Sequence, residues 1–185
     1  MSINPLKIFG RTAELRKALS TNRPRLYRLA YSWTHDPALA DELTQETLTK
    51  ALKHLDQVRN PDVVDRWLFG ILANCWRDHY RRIRPMEDIE DWPLEDDNTP
   101  ERQHEQQRLV SSVKTAVNKL PEGQRQAVTL VDLEGFSYAE VAEILQIPIG
   151  TVMSRLCRAR KTLAEELFEY KVRRTEKIKP LRRIS

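Results

Sequence analysis

Pro148 and Gly150 break a helical pattern inside residues 137–161, SYAEVAEILQIPIGTVMSRLCRARK, and so constrain this stretch to two helices joined by a short turn. Ser137 followed three residues later by Glu140 is a capping box, which starts the first helix. Thr151 is placed to N-cap the second, its hydroxyl taking an orphaned backbone N–H. Within that second helix Val152, Leu156, Ala159 and Leu163 recur at i, i+4, i+7 and i+11, forming one apolar stripe. At about 100° per residue, Ser154, Cys157, Arg158 and Lys161 fall on the opposite side, with Arg155 and Arg160 on the flanks. A helix anchored by its apolar stripe, with short polar residues near its start and arginines around it, suits the DNA major groove. The same pattern, taken alone, also describes an αα-hairpin with a solvated basic face. The rest of the chain decides between them.

The chain has 185 residues, enough for one or two small domains. Its net charge of +4 conceals an asymmetry. Residues 86–105 carry nine acidic residues and one basic residue, a local charge of −8, which leaves +12 on the remainder. That division points to a polyanionic partner for the folded parts and a separate role for the acidic stretch. Cys75 and Cys157 stand far apart and form no paired-ligand motif. With no signal-peptide pattern and no apolar run of membrane-spanning length, a cytoplasmic protein without membrane insertion is expected.

Strand signals are weak throughout, so the periodicity predicts an all-α fold of two small helical domains joined by a flexible acidic linker. The expected organisation is an N-terminal extension (1–24), a helical domain (25–84), the linker (85–107), the helix-turn-helix domain (108–169) and a basic tail (170–185). Up to about Asn22 only one short helix is anticipated. A helix carrying Leu26, Leu29, Ala30 and Trp33 follows, ended by His35-Asp36-Pro37. A second spans residues 38–55 and a third residues 66–83, with Asn60-Pro61 breaking the loop between them. In the linker, twenty residues extend at most roughly 65–70 Å, about two turns of DNA. Pro121 opens a further helix and Gly135 closes it.

Three clusters carry candidate chemistry. Arg77, Arg81, Arg82 and Arg84 are interleaved with Trp76 and Tyr80; the arginines suit phosphates, and the rings either stack on unpaired bases or fill the core. Asp41, Glu42, Gln45 and Glu46 form an acidic, polar face that reads, on the residues alone, as a solvated helix surface. Cys75 and His79 share a helix face at i, i+4, but two ligands complete no metal site, and a buried thiol is the expectation. No Gly-rich phosphate loop or nucleophile motif occurs, so neither a catalytic site nor a cofactor or metal is expected.

DELTQETLTKA (41–51), RWLFGILANCWRDHYRR (66–82) and LPEGQRQAVTLVDLEGFSYAEVAEILQIPIGTVMSRLCRARKTL (120–163) together resemble regions 2 and 4 of bacterial sigma factors, in the two-domain form of the extracytoplasmic-function (ECF) group. The resemblance spans about residues 25–167. It implies a non-enzymatic initiation factor that binds core RNA polymerase and directs it to promoters. It places Asp41, Glu42, Gln45 and Glu46 on the clamp helices of the largest polymerase subunit, reversing the solvated reading of that face. It places region 4 on the flap of the second subunit. Residues 57–64, with Arg59 and Asn60, match the segment that captures a flipped −10 base, an exchange in which a snug pocket offsets a few kcal/mol of unstacking. Asn74, Arg77, Arg81 and Arg82 match the helix lying along −10 DNA. Thr151, Ser154, Arg155, Cys157, Arg158 and Lys161 match the recognition helix that reads the −35 element. The linker matches a connector that threads toward the polymerase channels, and an anti-sigma factor is implied as a further partner.

Two residues depart from the family pattern: Met153 stands where arginine is common, and Gln146 where a turn glycine is common. Left-handed backbone at Gln146 costs about 1 kcal/mol. Cys157 replaces a larger residue and puts a thiol on the reading face. A free-standing helix-turn-helix regulator is the alternative reading, as is an N-terminal domain serving only protein interaction. The former has no use for the 41–51 and 66–82 blocks and is usually a dimer.

Overall fold

A computed structural model describes residues 5–55, 58, 63–83 and 105–177, with side chains at 15–55, 58, 63–82 and 111–168. Every regular element among them is helical, as the sequence predicts.

The N-terminal part differs from expectation. Helix α1 (Pro5–Thr34) is continuous, absorbing both the short anticipated helix and the Leu26–Trp33 stripe. Pro24 lies inside it, so one backbone N–H is missing from the ladder. Burial holds the helix together across that gap: Leu15, Leu19, Leu26, Leu29, Ala30 and Trp33 are all at most 4% exposed. Its end follows from His35, which takes φ 55° and donates its N–H to the Tyr31 carbonyl.

Helix α2 (Pro37–Lys53) starts at once. The Asp36 carboxylate accepts from the N–H of Ala38 and Leu39, and Pro37 occupies the position where no N–H is needed. Leu43, Thr44, Thr47 and Ala51 face inward, and both threonine hydroxyls return to carbonyls one turn back, so no polar atom there is orphaned. Helix α3 (Val64–Ile83) packs on α1 and α2 and buries Leu68, Phe69, Leu72, Ala73, Cys75 and Trp76. Trp76 is 7% exposed, which settles its burial; Tyr80 packs partly buried beside it.

The second half contains α4 (Glu105–Asn118), α5 (Glu122–Val128), a π-helical turn (Thr129–Leu133), α6 (Tyr138–Leu145) and α7 (Ile149–Lys177). The π turn adds a residue per turn, with the Glu134 N–H reaching the Thr129 carbonyl. Gly135, at φ 80°, then reverses the chain, a backbone that favours glycine. Helix α4 takes in residues 105–107 of the expected linker (85–107), and α7 takes in residues 170–177 of the expected tail (170–185); residues 85–104 and 178–185 lie outside the described residues, as do Arg59, Asn60 and Arg84.

The two halves pack on one another. Helix α3 lies against α6, and α1 against α4, α5 and the π turn, so that one buried apolar cluster runs through both. Phe69 and Phe136 meet edge to face at 5.1 Å, and the Arg25 guanidinium covers the Phe69 ring. Arg25 also binds Asp65 in its own half and Glu134 in the other, the latter at 2.8 Å. Burial works against the Arg25 charge, but the hydrogen bonds to Asp65 and Glu134 outweigh it and raise its pKa. The indole N–H of Trp33 donates to the Thr129 hydroxyl at 3.0 Å, both side chains being at most 1% exposed.

Candidate nucleic-acid interface

The turn between α6 and α7 fixes the candidate recognition helix. Ser137 accepts from the Glu140 N–H while the Glu140 carboxylate accepts from the Ser137 N–H and hydroxyl, completing the expected capping box. Those bonds hold the Glu140 carboxyl below its usual range, the Ser137 hydroxyl contributing most. Helix α6 ends at Gln146, which does adopt left-handed backbone (φ 55°, ψ 46°), and the Ile147 N–H closes back on the Ala142 carbonyl.

Helix α7 begins earlier than the cap residues imply. It starts at Ile149, with the Pro148 carbonyl accepting from Thr151 and Val152, so Thr151 sits inside the first turn and is not the N-cap. Pro148 is compatible because the missing N–H falls outside the helix ladder. The apolar stripe is as expected: Val152, Leu156 and Ala159 are at most 2% exposed, and Leu163 packs partly buried.

On the outer side, Cys157, Arg158 and Lys161 are exposed, and Thr151, Ser154 and Arg155 are half-buried. The two flanking arginines are turned onto the protein itself. Arg160 makes a two-pronged pair with Asp132, at 2.7 and 3.2 Å, and donates to the Tyr138 hydroxyl. Arg155 lies so close over Gly123 that a Cβ there would fall 2.7 Å from the guanidinium carbon. Exposed apolar residues occupy the remaining edge, with Ile149 49% and Met153 54% exposed.

The acidic face of α2 is presented outward while Leu43, Thr44 and Thr47 anchor the helix from behind. Glu42 and Gln45 are exposed. Asp41 accepts from Gln45 at 2.6 Å and pairs loosely with Arg23 at 3.5 Å. Glu46 pairs with Lys50, which in turn reaches the Cys75 thiol at 3.4 Å. Burial, reinforced by Glu46, pushes the Cys75 thiol up. No group of metal-ligating side chains occurs among the described residues.

The candidate −10 helix, α3, splits its arginines. Arg81 and Arg82 are exposed. Arg77, by contrast, reaches into the other half: it donates to the Leu145 carbonyl at 2.7 Å and the Gln146 side-chain oxygen at 2.9 Å, while also holding Asn74. Trp76 donates to Glu122 across the same junction. A further junction residue, Arg125, is 5% exposed; it binds the Asn118 carbonyl and the His35 ring, and burial pulls its pKa down. Glu122 and Arg125 gave no sequence signal, because each looks like an ordinary surface charge until the halves meet.

Residues 19–85 match the family described as sigma-70 region 2, and residues 111–163 match sigma-70, region 4. An ECF RNA polymerase sigma factor, EcfG of Rhodopseudomonas palustris, is 35% identical over 159 residues, covering 85% of this chain and 87% of that protein. The RNA polymerase sigma-H factor of Pseudomonas aeruginosa is 33% identical over 155 residues, covering 77% and 80% respectively. ECF sigma factor SigE of Mycolicibacterium smegmatis is 36% identical over 152 residues; the match covers 79% of this chain but 58% of that longer protein. Among solved structures, the Bartonella quintana sigma factor RpoE, determined in complex with the anti-sigma factor NepR, is similar with a TM-score of 0.64 at 29% identity, covering 82% of this chain and 95% of that one. The chain therefore belongs to the ECF group of the sigma-70 family.

Proposed function

We propose that this chain is a dissociable initiation subunit that binds core RNA polymerase and carries it to promoters, without catalysis of its own. The observation that carries the reading is α7: an apolar stripe locks one side of the helix while Cys157, Arg158 and Lys161 are exposed on the other. In this reading Thr151, Ser154, Cys157, Arg158 and Lys161 line the −35 contact, and Arg155 joins them by leaving Gly123, over which its guanidinium packs. Arg81 and Arg82, together with Asn74, Arg77, Arg59 and Asn60, serve the −10 region. Asp41, Glu42, Gln45 and Glu46 dock on the polymerase clamp helices, and region 4 on the flap.

The chain works where polymerase and chromosome are, in the cytoplasm; no helix among the described residues is long and apolar enough to cross a membrane. An anti-sigma factor is the expected regulator, by analogy with the complex formed by the Bartonella protein. A free-standing regulator is disfavoured by the α2 face, which such a protein would not need.

The test is co-elution of the full chain with core polymerase at near-physiological salt, beside Glu46→Lys. Wild-type co-elution that the variant loses supports the docking surface. A variant that competes at wild-type strength removes it.

A further inference from the structure

The recognition helix carries an apolar edge that its basic neighbours do not shield. Ile149, Met153 and Cys157 succeed one another at i, i+4 and i+8, and all three are exposed. At 1.5 Å per residue they cover about 12 Å of helix, roughly the rise of three to four base steps. Arg160, the cation nearest this edge, is held away by Asp132 and Tyr138. Arg155, on the opposite flank, is turned onto Gly123. The face left for a ligand is therefore half basic, with Arg158 and Lys161, and half soft and apolar, with Met153 and Cys157.

Met153 is more than half exposed on this helix, and the adjoining charges select what covers it. Arg158 and Lys161 attract a polyanion, and duplex DNA offers one apolar group in its major groove, the 5-methyl of thymine. We propose that Met153, assisted by Cys157, is a specificity-determining residue that reads thymine methyl groups in the −35 element. This rests on the −35 assignment of α7 above. Met153 and Cys157 stand about 6 Å apart along the axis, so the methyls they meet lie within about two base steps of each other. Arg158, one residue from Cys157 on the exposed face, is left to contact a guanine edge or a phosphate beside them. A flexible thioether can follow the methyl, whereas arginine at the same position would favour guanine.

The experiment uses holoenzyme assembled from core polymerase and the full chain. A promoter library randomised across the −35 region yields the preferred sequence, and each selected thymine is then replaced by uracil, which removes the methyl and nothing else. Wild-type holoenzyme is expected to lose about fourfold in affinity at one or two adjacent positions, the worth of one buried methyl group. Met153→Ala should bind the same site yet no longer distinguish thymine from uracil at one of those positions. Equal binding of thymine and uracil at every −35 position overturns the proposal and leaves the apolar edge to a protein partner. Discrimination that survives intact in Met153→Ala also overturns it, since the methyl is then read elsewhere. Failure to select any −35 sequence overturns the −35 assignment itself, a separate and recognisable result.

Discussion

Thr129→Val isolates the contact between the two halves. Thr129 is fully buried; its hydroxyl donates to the Arg125 carbonyl at 2.7 Å and accepts the indole N–H of Trp33 from 96 residues away. Valine keeps the shape and the branched Cβ but offers Trp33 only a methyl. The Arg125 carbonyl is little affected, because the Thr129 backbone N–H already reaches it. With the halves packed, an indole N–H is left buried and unpaired, which costs about 1–3 kcal/mol. With the halves apart, water reaches that N–H and the cost vanishes. The substitution should therefore shift the packed-to-separated ratio by roughly 5- to 150-fold toward separation. Energy transfer between a dye on exposed Cys157 and one on Lys53→Cys, followed through a urea titration, reads this directly; Cys75 is buried and stays unlabelled. Loss of transfer should move to lower urea by 1–3 kcal/mol of opening free energy, and Thr129→Ser should restore the wild-type curve. Superimposable curves for valine and wild type would refute the reasoning, as would an equal shift for serine.

Glu140→Gln should flatten the acid limb of stability. The folded carboxyl titrates below its usual range, so its contribution is present above the unfolded value of about 4.3 and is lost as pH falls through the lower folded value. Wild type should thus lose stability more steeply than the variant between about pH 5 and 3, measured by thermal melts; parallel curves would remove the capping box as a contributor. Gly135→Ala should lower stability by about 1 kcal/mol in denaturant titrations, from backbone strain alone, since nothing lies within 4 Å of the added Cβ. Arg158→Ala should reduce discrimination among −35 sequences by about 1–3 kcal/mol if it meets a base edge, judged by competition binding. Uniform weakening with a shallower salt dependence would make it a phosphate contact instead.

Local chemistry is what the sequence made legible. The Ser137–Glu140 box and the Val152–Leu156–Ala159 stripe both act within a few residues, where spacing and side-chain type determine the outcome. Where a nearby rule competed with packing, packing prevailed. Pro24 ought to interrupt α1, yet six buried apolar side chains carry the helix through it. Thr151 is a good cap by type, but Pro148 lets the helix begin three residues sooner. The junction was illegible for a different reason. Arg25, Asp65 and Glu134 lie 40 and 109 residues apart in the pairs they form, and no periodicity links them.

Arg77 stands at the junction of the two halves. The family resemblance assigns it to −10 DNA, while the structure has it at the end of α6, bound to the Leu145 carbonyl and the Gln146 side chain. Both assignments draw on one property. A helix C-terminus presents unpaired carbonyls equivalent to roughly half a negative charge, and a DNA phosphate presents a full one. A guanidinium that caps the first is suited to the second, and it cannot serve both at once. The same holds for the strained Gln146, whose left-handed backbone places its side-chain oxygen within reach of Arg77 at 2.9 Å. A glycine at that position would relieve the backbone and give Arg77 one acceptor fewer. The unusual residue in the turn thus adds an acceptor to the contact that holds Arg77 at the junction while the halves are packed.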